Sequence, residues 1–249
     1  MKKSGNTILV TGGGSGIGRA LAEAFHAAGN TVIVAGRRRA ALDAVVAANP
    51  GIEAVELDVT DAAGLAAAAA ALVVRFPDLN VLVNNAGIMR HENLRDPAHL
   101  ADAEATIVTN LLGPIRLTAT LLPHLETRPA ATVINVTSGL AFVPLAGTPT
   151  YSATKAGLHS YTMALRRQLA GTAVEVIELA PPYVQTELTG AAQAVDPRAM
   201  PLAEFIAEVM AILDADPTPK EVIVERCRPL RHAAENGTLA EIFEALAAF

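Results

Sequence analysis

Short runs of β-branched residues alternate with longer Ala/Leu stretches almost from end to end of the chain, and few architectures accept that pattern. Strands are predicted at "TILV" (7–10), "TVIVA" (31–35), "IEAVEL" (52–57), "NVLVN" (80–84), "ATVINVT" (131–137), "VEVIEL" (174–179) and "EVIVE" (221–225). The runs are continuously apolar more than alternating, as strands covered on both faces must be. Helical patterns fill most of the gaps, the clearest being "RALAEAFHAAG", which Gly29 should close as a C-cap. Seven β units in this order predict an α/β fold: a doubly wound parallel sheet of about seven strands with right-handed crossovers and helices on both faces. Nothing resembling a linker interrupts residues 1–249, so one domain is expected.

Composition narrows the function. A hydrophobic content of 51% and a mean hydropathy of +0.35 describe a folded chain with a large core. The net charge of -6 argues against nucleic-acid partners or an anionic membrane surface. Trp is absent, so no stacking platform for single strands is expected. One cysteine, Cys227, excludes a disulfide framework and a Cys-rich zinc site, and no metal is expected. The N-terminal "MKKSGNTILVTGGG" is too short in its apolar part for a signal peptide. No apolar run approaches the ~18 residues of a membrane span. A cytoplasmic location is the expectation.

The first strand runs into "TGGGSGIG" (11–18) and then into a helix. Glycines at such a turn let backbone N–H groups approach a diphosphate, and the helix N-terminus adds a favourable field. The spacing here is Gly12-x-x-x-Gly16-x-Gly18, with Ser15 inside the turn. Methyltransferases and flavoproteins have related turns, but the strand–turn–helix setting favours nucleotide binding. The second strand ends in "AGRRR": Gly36, then Arg37, Arg38 and Arg39, with no acid before Asp43. A carboxylate at this point would accept from a ribose 2′-hydroxyl, whereas arginines suit a 2′-phosphate. NADP(H) is therefore expected over NAD(H), with Arg37 first in line and Arg38 beside it; the plain alternative is a solvated helix start.

"YSATK" (151–155) sets Tyr151 and Lys155 four residues apart in a helical stretch. A phenol of pKa ~10 is a poor acid or base near neutrality, but an adjacent positive charge favours its phenolate. Many ordinary helices carry the same pair, so the context decides.

With "TGGGSGIG" at 11–18, "NNAG" at 84–87, Ser138 and "YSATK" at 151–155, the sequence resembles the short-chain dehydrogenase/reductase family over essentially its whole length. The C-terminal tract and "PPYVQT" (181–186) further resemble its bacterial DltE-like branch. The resemblance implies a Rossmann-type fold, with a cofactor part over about 1–130 and a catalytic and substrate part over about 131–249. It implies that Tyr151 is the general acid/base and that Lys155 lowers its pKa and holds the nicotinamide ribose. Ser138 would bond the substrate oxygen, and Asn110 would maintain a proton relay through water. Gly113 and Pro114 should disturb the helix beyond Asn110. Cofactor contacts are implied for Ile17, for Asp58 and Val59 near the adenine, and for Asn84, Ala86 and Gly87 beside its ribose. Pro181, Val184 and Thr186 would lie at the carboxamide, with Pro182 standing where the family usually has glycine.

The implied reaction interconverts a carbonyl compound and a secondary alcohol. Its substrate wall is expected from Met89, Leu140, Phe142, Val143 and Tyr183, under a small lid beyond Thr186. His91 is expected at the loop surface. The helices at about 103–125 and 151–170, and the last helix with "IFEALAAF", suggest a homotetramer or homodimer. A regulatory NADP(H)-binding protein with little turnover is the alternative, against which Ser138, Tyr151 and Lys155 weigh.

Overall fold

The computed structural model describes residues 1–247; Ala248 and Phe249, the end of the expected apolar face of the last helix, lie outside the described residues. The strands are β1 (Thr7–Thr11), β2 (Thr31–Gly36), β3 (Glu53–Glu56), β4 (Leu79–Asn84), β5 (Ala131–Val136), β6 (Val174–Leu179) and β7 (Glu221–Val222). The longer helices are α1 (Gly16–Ala27), α2 (Arg39–Ala48), α3 (Gly64–Arg75), α4 (Leu100–Ile107), α5 (Gly113–Leu125) and α6 (Pro149–Gln168). The C-terminal part adds the short α7 (Ala191–Ala194), then α8 (Leu202–Ala215), the single turn α9 (Arg228–Arg231) and α10 (Leu239–Ala247).

All seven strands join one parallel sheet in the order β3-β2-β1-β4-β5-β6-β7. The chain reverses direction across the sheet between β1 and β4, which opens a crevice at the C-terminal strand ends. Both faces are covered because side chains alternate along each strand. Ile8, Val10, Val32 and Val34 join the core shared with Leu21 and Phe25 of α1 and Phe205 of α8. Leu9, Ile33 and Leu82 join the opposite core, with Leu117 and Leu121 of α5. Gly29 ends α1 as predicted: at φ +88 it donates to the His26 carbonyl, while Asn30 donates to Phe25.

Two predicted elements differ. The last strand was expected over 221–225, but only Glu221 and Val222 pair, against Glu178 and Leu179. It is an edge strand with one neighbour, and its chain turns into the 3₁₀ segment Glu225–Cys227. The helix expected at about 103–125 runs continuously from Pro97 and is interrupted by a π-helical segment, Val108–Leu112. By length and hydropathy this stretch could cross a membrane, contrary to the sequence expectation. Leu117, Leu121 and Leu125 instead use its apolar face against the sheet.

Candidate active site

The crevice at the C-terminal strand ends is a cleft of about 890 Å³. Its floor begins at the glycine turn. Gly12 holds φ +66, and a Cβ there would come within 2.9 Å of the Ala86 Cα. A Cβ on Gly18 would collide with the Asn85 side chain and the Gly12 carbonyl. The turn therefore packs directly on the segment after β4, and only glycine permits it. Thr11 pins the two together: its hydroxyl accepts from the Asn85 and Ala86 amides at 3.0 and 3.1 Å, and Asn85 Nδ2 donates back to the Thr11 carbonyl at 2.9 Å. The sequence reading took residues 84–87 as one segment and Thr11 as the start of the glycine turn, without the bonds that join them.

Gly12, Ser15, Gly16, Ile17 and Gly18 all line the cleft, together with Arg37, Arg38, Asp58, Val59, Ala86 and Gly87. The three arginines separate. Arg38 donates to Ser15 Oγ at 3.1 Å, whereas Arg39 turns away onto Asp43 at 2.9 Å. Burial acts to raise the Asp58 pKa, but two hydrogen bonds from Thr60 and the charge of Arg37 hold it below the ordinary carboxylate value. Asn84 does not line the cleft. Its side chain is buried and donates to Thr118 at 3.0 Å and to Asn135 at 2.8 Å, tying β4 to β5 and α5.

Asn110 lies in the π-helical segment, fully buried. Its amide accepts from Ile88 N–H at 2.9 Å and donates to the Ile88 carbonyl at 2.8 Å, so its side chain clamps the segment after Gly87. It too stands outside the cleft lining.

Ser138, Tyr151 and Lys155 meet at the cleft floor. Ser138, two residues past β5, caps the following 3₁₀ turn, accepting from Leu140 N–H at 3.1 Å. The start of α6 is held by Glu92, which accepts from the Thr150 hydroxyl at 2.6 Å. One helical turn then sets Lys155 Nζ 5.6 Å from the centre of the Tyr151 ring, and Nζ donates to the Val136 carbonyl at 2.8 Å. Burial pushes the Tyr151 phenol up to about 12, partly offset by a hydrogen bond with Ser138. Burial also pushes Lys155 down to about 8. The sequence led us to expect the opposite direction for the tyrosine. Desolvation of the phenolate in the packed fold outweighs the hydrogen bond with Ser138.

Pro181, Pro182, Val184 and Thr186 border the cleft. The Pro181 carbonyl accepts from Gly139 N–H at 2.8 Å, anchoring this segment beside Ser138. Gln193 donates to Thr186 Oγ1 at 3.1 Å and to the Val184 carbonyl at 2.8 Å, so α7 folds back over the segment as a small lid. Of the expected substrate wall, Met89, Leu140 and Tyr183 line the cleft, with His91 exposed at its rim. Phe142 and Val143 do not. Val143 is fully buried, and Phe142 faces inward against His159, with ring centres 5.0 Å apart, beneath Arg231. The wall also holds Leu145 and Leu188, which lie in the stretches 139–147 and 183–190 that the sequence pointed to, and Leu230 and Leu246, which sequence reasoning missed because they are remote from every motif.

A glycine turn, a Ser–Tyr–Lys cluster and a switch-point cleft therefore share one sheet end. Residues 6–196 match the model of the short chain dehydrogenase family. The chain belongs to that family. This short-chain dehydrogenase is 44% identical over 190 residues to the uncharacterized oxidoreductase DltE of Bacillus subtilis (strain 168), a match covering 76% of this chain and 75% of DltE. Among solved structures it is similar to a short-chain dehydrogenase from Streptomyces avermitilis, at 32% identity and a TM-score of 0.83 with 96% of each chain covered. It is also similar to one from Burkholderia cenocepacia J2315 in complex with NADP, at 27% identity and a TM-score of 0.82 over 98% of this chain and 99% of that one.

Proposed function

We propose that this short-chain dehydrogenase is an NADP(H)-dependent oxidoreductase that interconverts a carbonyl compound and a secondary alcohol. The observation that carries the reading is Ser138, Tyr151 and Lys155 facing one cleft whose other end is the glycine turn. The turn fits a dinucleotide: its backbone is bare where a Cβ would collide, and α1 starts there with its N-terminus. Gly12, Ser15, Gly16, Ile17 and Gly18 would hold the diphosphate, and Asp58 with Val59 would flank the adenine. Arg37 and Arg38 would take the 2′-phosphate, bidentate charge-assisted bonds being the strong ones. A bound reduced nicotinamide supplies the hydride.

In reduction the carbonyl carbon gains that hydride while its oxygen takes the Tyr151 proton, giving the alcohol and a phenolate. Tyr151 holds its proton near neutrality, and because burial raises its pKa to about 12 and makes it a weaker acid, donation depends on stabilising the phenolate that forms. Ser138 bonds the developing alkoxide. Lys155, one helical turn away, stabilises the phenolate until a solvent proton restores it. Asn110 acts indirectly, by fixing the backbone at Ile88.

Support for NADP(H) rests on the arginines, since chains of this fold carry NADP in one solved case and NADH in another. Relatives include a serine 3-dehydrogenase and a sulfoacetaldehyde reductase, both acting on charged molecules. Met89, Leu140, Leu145, Leu188, Leu230 and Leu246 give this cleft a large apolar share beside Glu187, Asp196 and Arg198, and the apolar share favours a small or medium apolar carbonyl compound. Assembly as a homodimer or homotetramer completes the reading.

A screen of ketones and aldehydes with NADPH oxidation as readout tests the proposal. Tyr151→Phe should lower turnover of any substrate found by at least ~100-fold, the usual scale of a lost acid/base, while NADPH binding stays unchanged. Near-normal turnover in that variant would remove Tyr151 from the mechanism. NADPH binding without turnover of any carbonyl in the wild type would favour a regulatory role.

A further inference from the structure

We infer that Glu178 is a positioning residue for the reaction: its buried carboxylate ties the chain entering Ser138 to the helix that bears Tyr151 and Lys155, and so keeps the three catalytic groups in register. This rests on the oxidoreductase reading and adds to it a residue that touches neither cofactor nor substrate.

Glu178 is the last residue but one of β6 and is fully buried. A carboxylate taken out of water is costly unless its oxygens find donors. Here they find them on two different elements. One oxygen accepts from the Thr137 hydroxyl at 2.7 Å, and the other lies 2.8 Å from His159 Nδ1. Thr137 immediately precedes Ser138, and its amide also donates to the Leu179 carbonyl at 2.8 Å. The backbone entering the serine is therefore held to β6 by main chain and side chain together. His159 lies one helical turn beyond Lys155. Tyr151, Lys155 and His159 thus recur every four residues along one face of α6. Glu178 grips that face at its far end and the serine's neighbour at the same time.

The surroundings keep this link stiff. The Phe142 ring meets the His159 ring edge-on, and the Arg231 guanidinium lies 5.0 Å from the Phe142 ring centre. Glu221 of β7 brings a second carboxylate within 4.8 Å of the His159 and Glu178 ligand atoms. Arg231 neutralises it, donating to its two oxygens at 2.8 and 3.1 Å. A guanidinium thus stands where these three residues would otherwise suit a metal ion, and the His159 nitrogen is left to Glu178. Burial first, and then the Glu178 charge, raise the Cys227 thiol to about 12, so it adds no charge to the cluster. Ser138 and Tyr151, hydrogen-bonded to each other, must act on one carbonyl oxygen. A misplacement of about 1 Å in such a pair costs on the order of 100-fold in rate.

The test compares two substitutions. Glu178→Ala removes both bonds, whereas Glu178→Gln keeps them by accepting from Thr137 and donating to the other tautomer of His159. With a carbonyl substrate from the screen, Glu178→Ala should lower kcat roughly 10- to 100-fold, while calorimetry finds NADPH affinity unchanged. Glu178→Gln should restore most of the turnover. In a Ser138→Ala background the Glu178→Ala change should cost clearly less, because a residue acting through another is not additive with it. Equal losses in both backgrounds, NADPH affinity falling with kcat, a Glu178→Gln protein no better than Glu178→Ala, or wild-type turnover by Glu178→Ala overturns the inference. Should circular dichroism show Glu178→Ala unfolded, Thr137→Val, which removes one bond and little volume, takes its place in every arm. Crystal structures supply a reading that needs no turnover: the Ser138–Tyr151 bond should break or lengthen in Glu178→Ala and persist in Glu178→Gln. If the wild type turns over no carbonyl compound, the oxidoreductase reading fails, and this comparison decides the positioning role by itself, an unchanged Ser138–Tyr151 pair overturning it.

Discussion

Lys155 places an ammonium group where water hardly reaches it, 4% exposed, with the Val136 carbonyl as its hydrogen-bond acceptor. Burial moves its pKa from 10.5 to about 8, so the folded state binds this proton less tightly than the unfolded state does. The sign follows from linkage. Below pH 8 the lysine is charged in both states and its desolvation penalty is complete. Between about 8 and 10.5 the folded form is neutral while the unfolded form is charged, and the penalty fades as pH rises. Lys155→Met should therefore be more stable than wild type at pH 7 by about 1–2 kcal/mol, after the bond to Val136 is discounted from a shift worth about 1.4 kcal/mol per pH unit. That advantage should vanish by pH 10.5, while activity is lost at every pH. Urea unfolding at pH 7 and pH 10 reads both statements, and a variant less stable than wild type at pH 7 would contradict them. The sequence alone named this lysine and its tyrosine from their spacing. It could not give the direction of either pKa, because burial belongs to the packed fold.

At the scale of elements, the cofactor end turns on how β2 passes into α2. Arg38 is the residue immediately before α2, Arg39 is spent on Asp43, and Arg37 leaves the strand at the cleft. A charge-assisted bond contributes roughly 1.5–3 kcal/mol, so NADPH should exceed NADH by at least ~10-fold in kcat/KM. A side chain at Gly36 has space, since its Cβ would stand 3.7 Å from Leu42 Cδ2. Gly36→Asp with Arg37→Ser should then reverse the preference, the new carboxylate repelling a 2′-phosphate. A preference that survives both changes would identify Arg38, bonded to Ser15, as the anchor. Steady-state kinetics with the two cofactors decides. Elements carrying local signals were legible in advance: the β1–turn–α1 unit from its glycines, and α1's end from Gly29. The π-helical segment around Asn110 was legible only as a disturbance expected from Gly113 and Pro114. What Asn110 binds, the backbone of Ile88 twenty-two residues earlier, depends on tertiary approach that no local pattern encodes. Phe142 and Val143 were misplaced for a related reason. The 3₁₀ turn after Ser138 rotates successive side chains to opposite sides, and residue types alone do not say which side faces the cleft.

Across the whole molecule, the apolar surface left exposed bears on assembly. Helices α4 and α6 pack against one another on one side of the sheet. Leu100 and Ile107 of α4 are 55% and 41% exposed, and Met163 of α6 is 53% exposed. Large apolar side chains on neighbouring helices are what a two-fold contact needs, because the same patch must meet its own copy. A net charge of -6 spread over 249 residues adds only weak repulsion to such a meeting at physiological salt. We expect a dimer through these helices, and a tetramer if a second face also pairs. Replacing Ile107 and Met163 both with Glu should shift the protein to monomer, since each buries a like, unpaired charge at the contact while leaving the exposed monomer surface intact. Both positions point away from the cleft lining, so the monomer should still bind NADPH. Light scattering at micromolar concentration reads the mass directly. A wild-type monomer there, or a double variant that keeps the wild-type mass, would assign these helices to solvent and not to a partner.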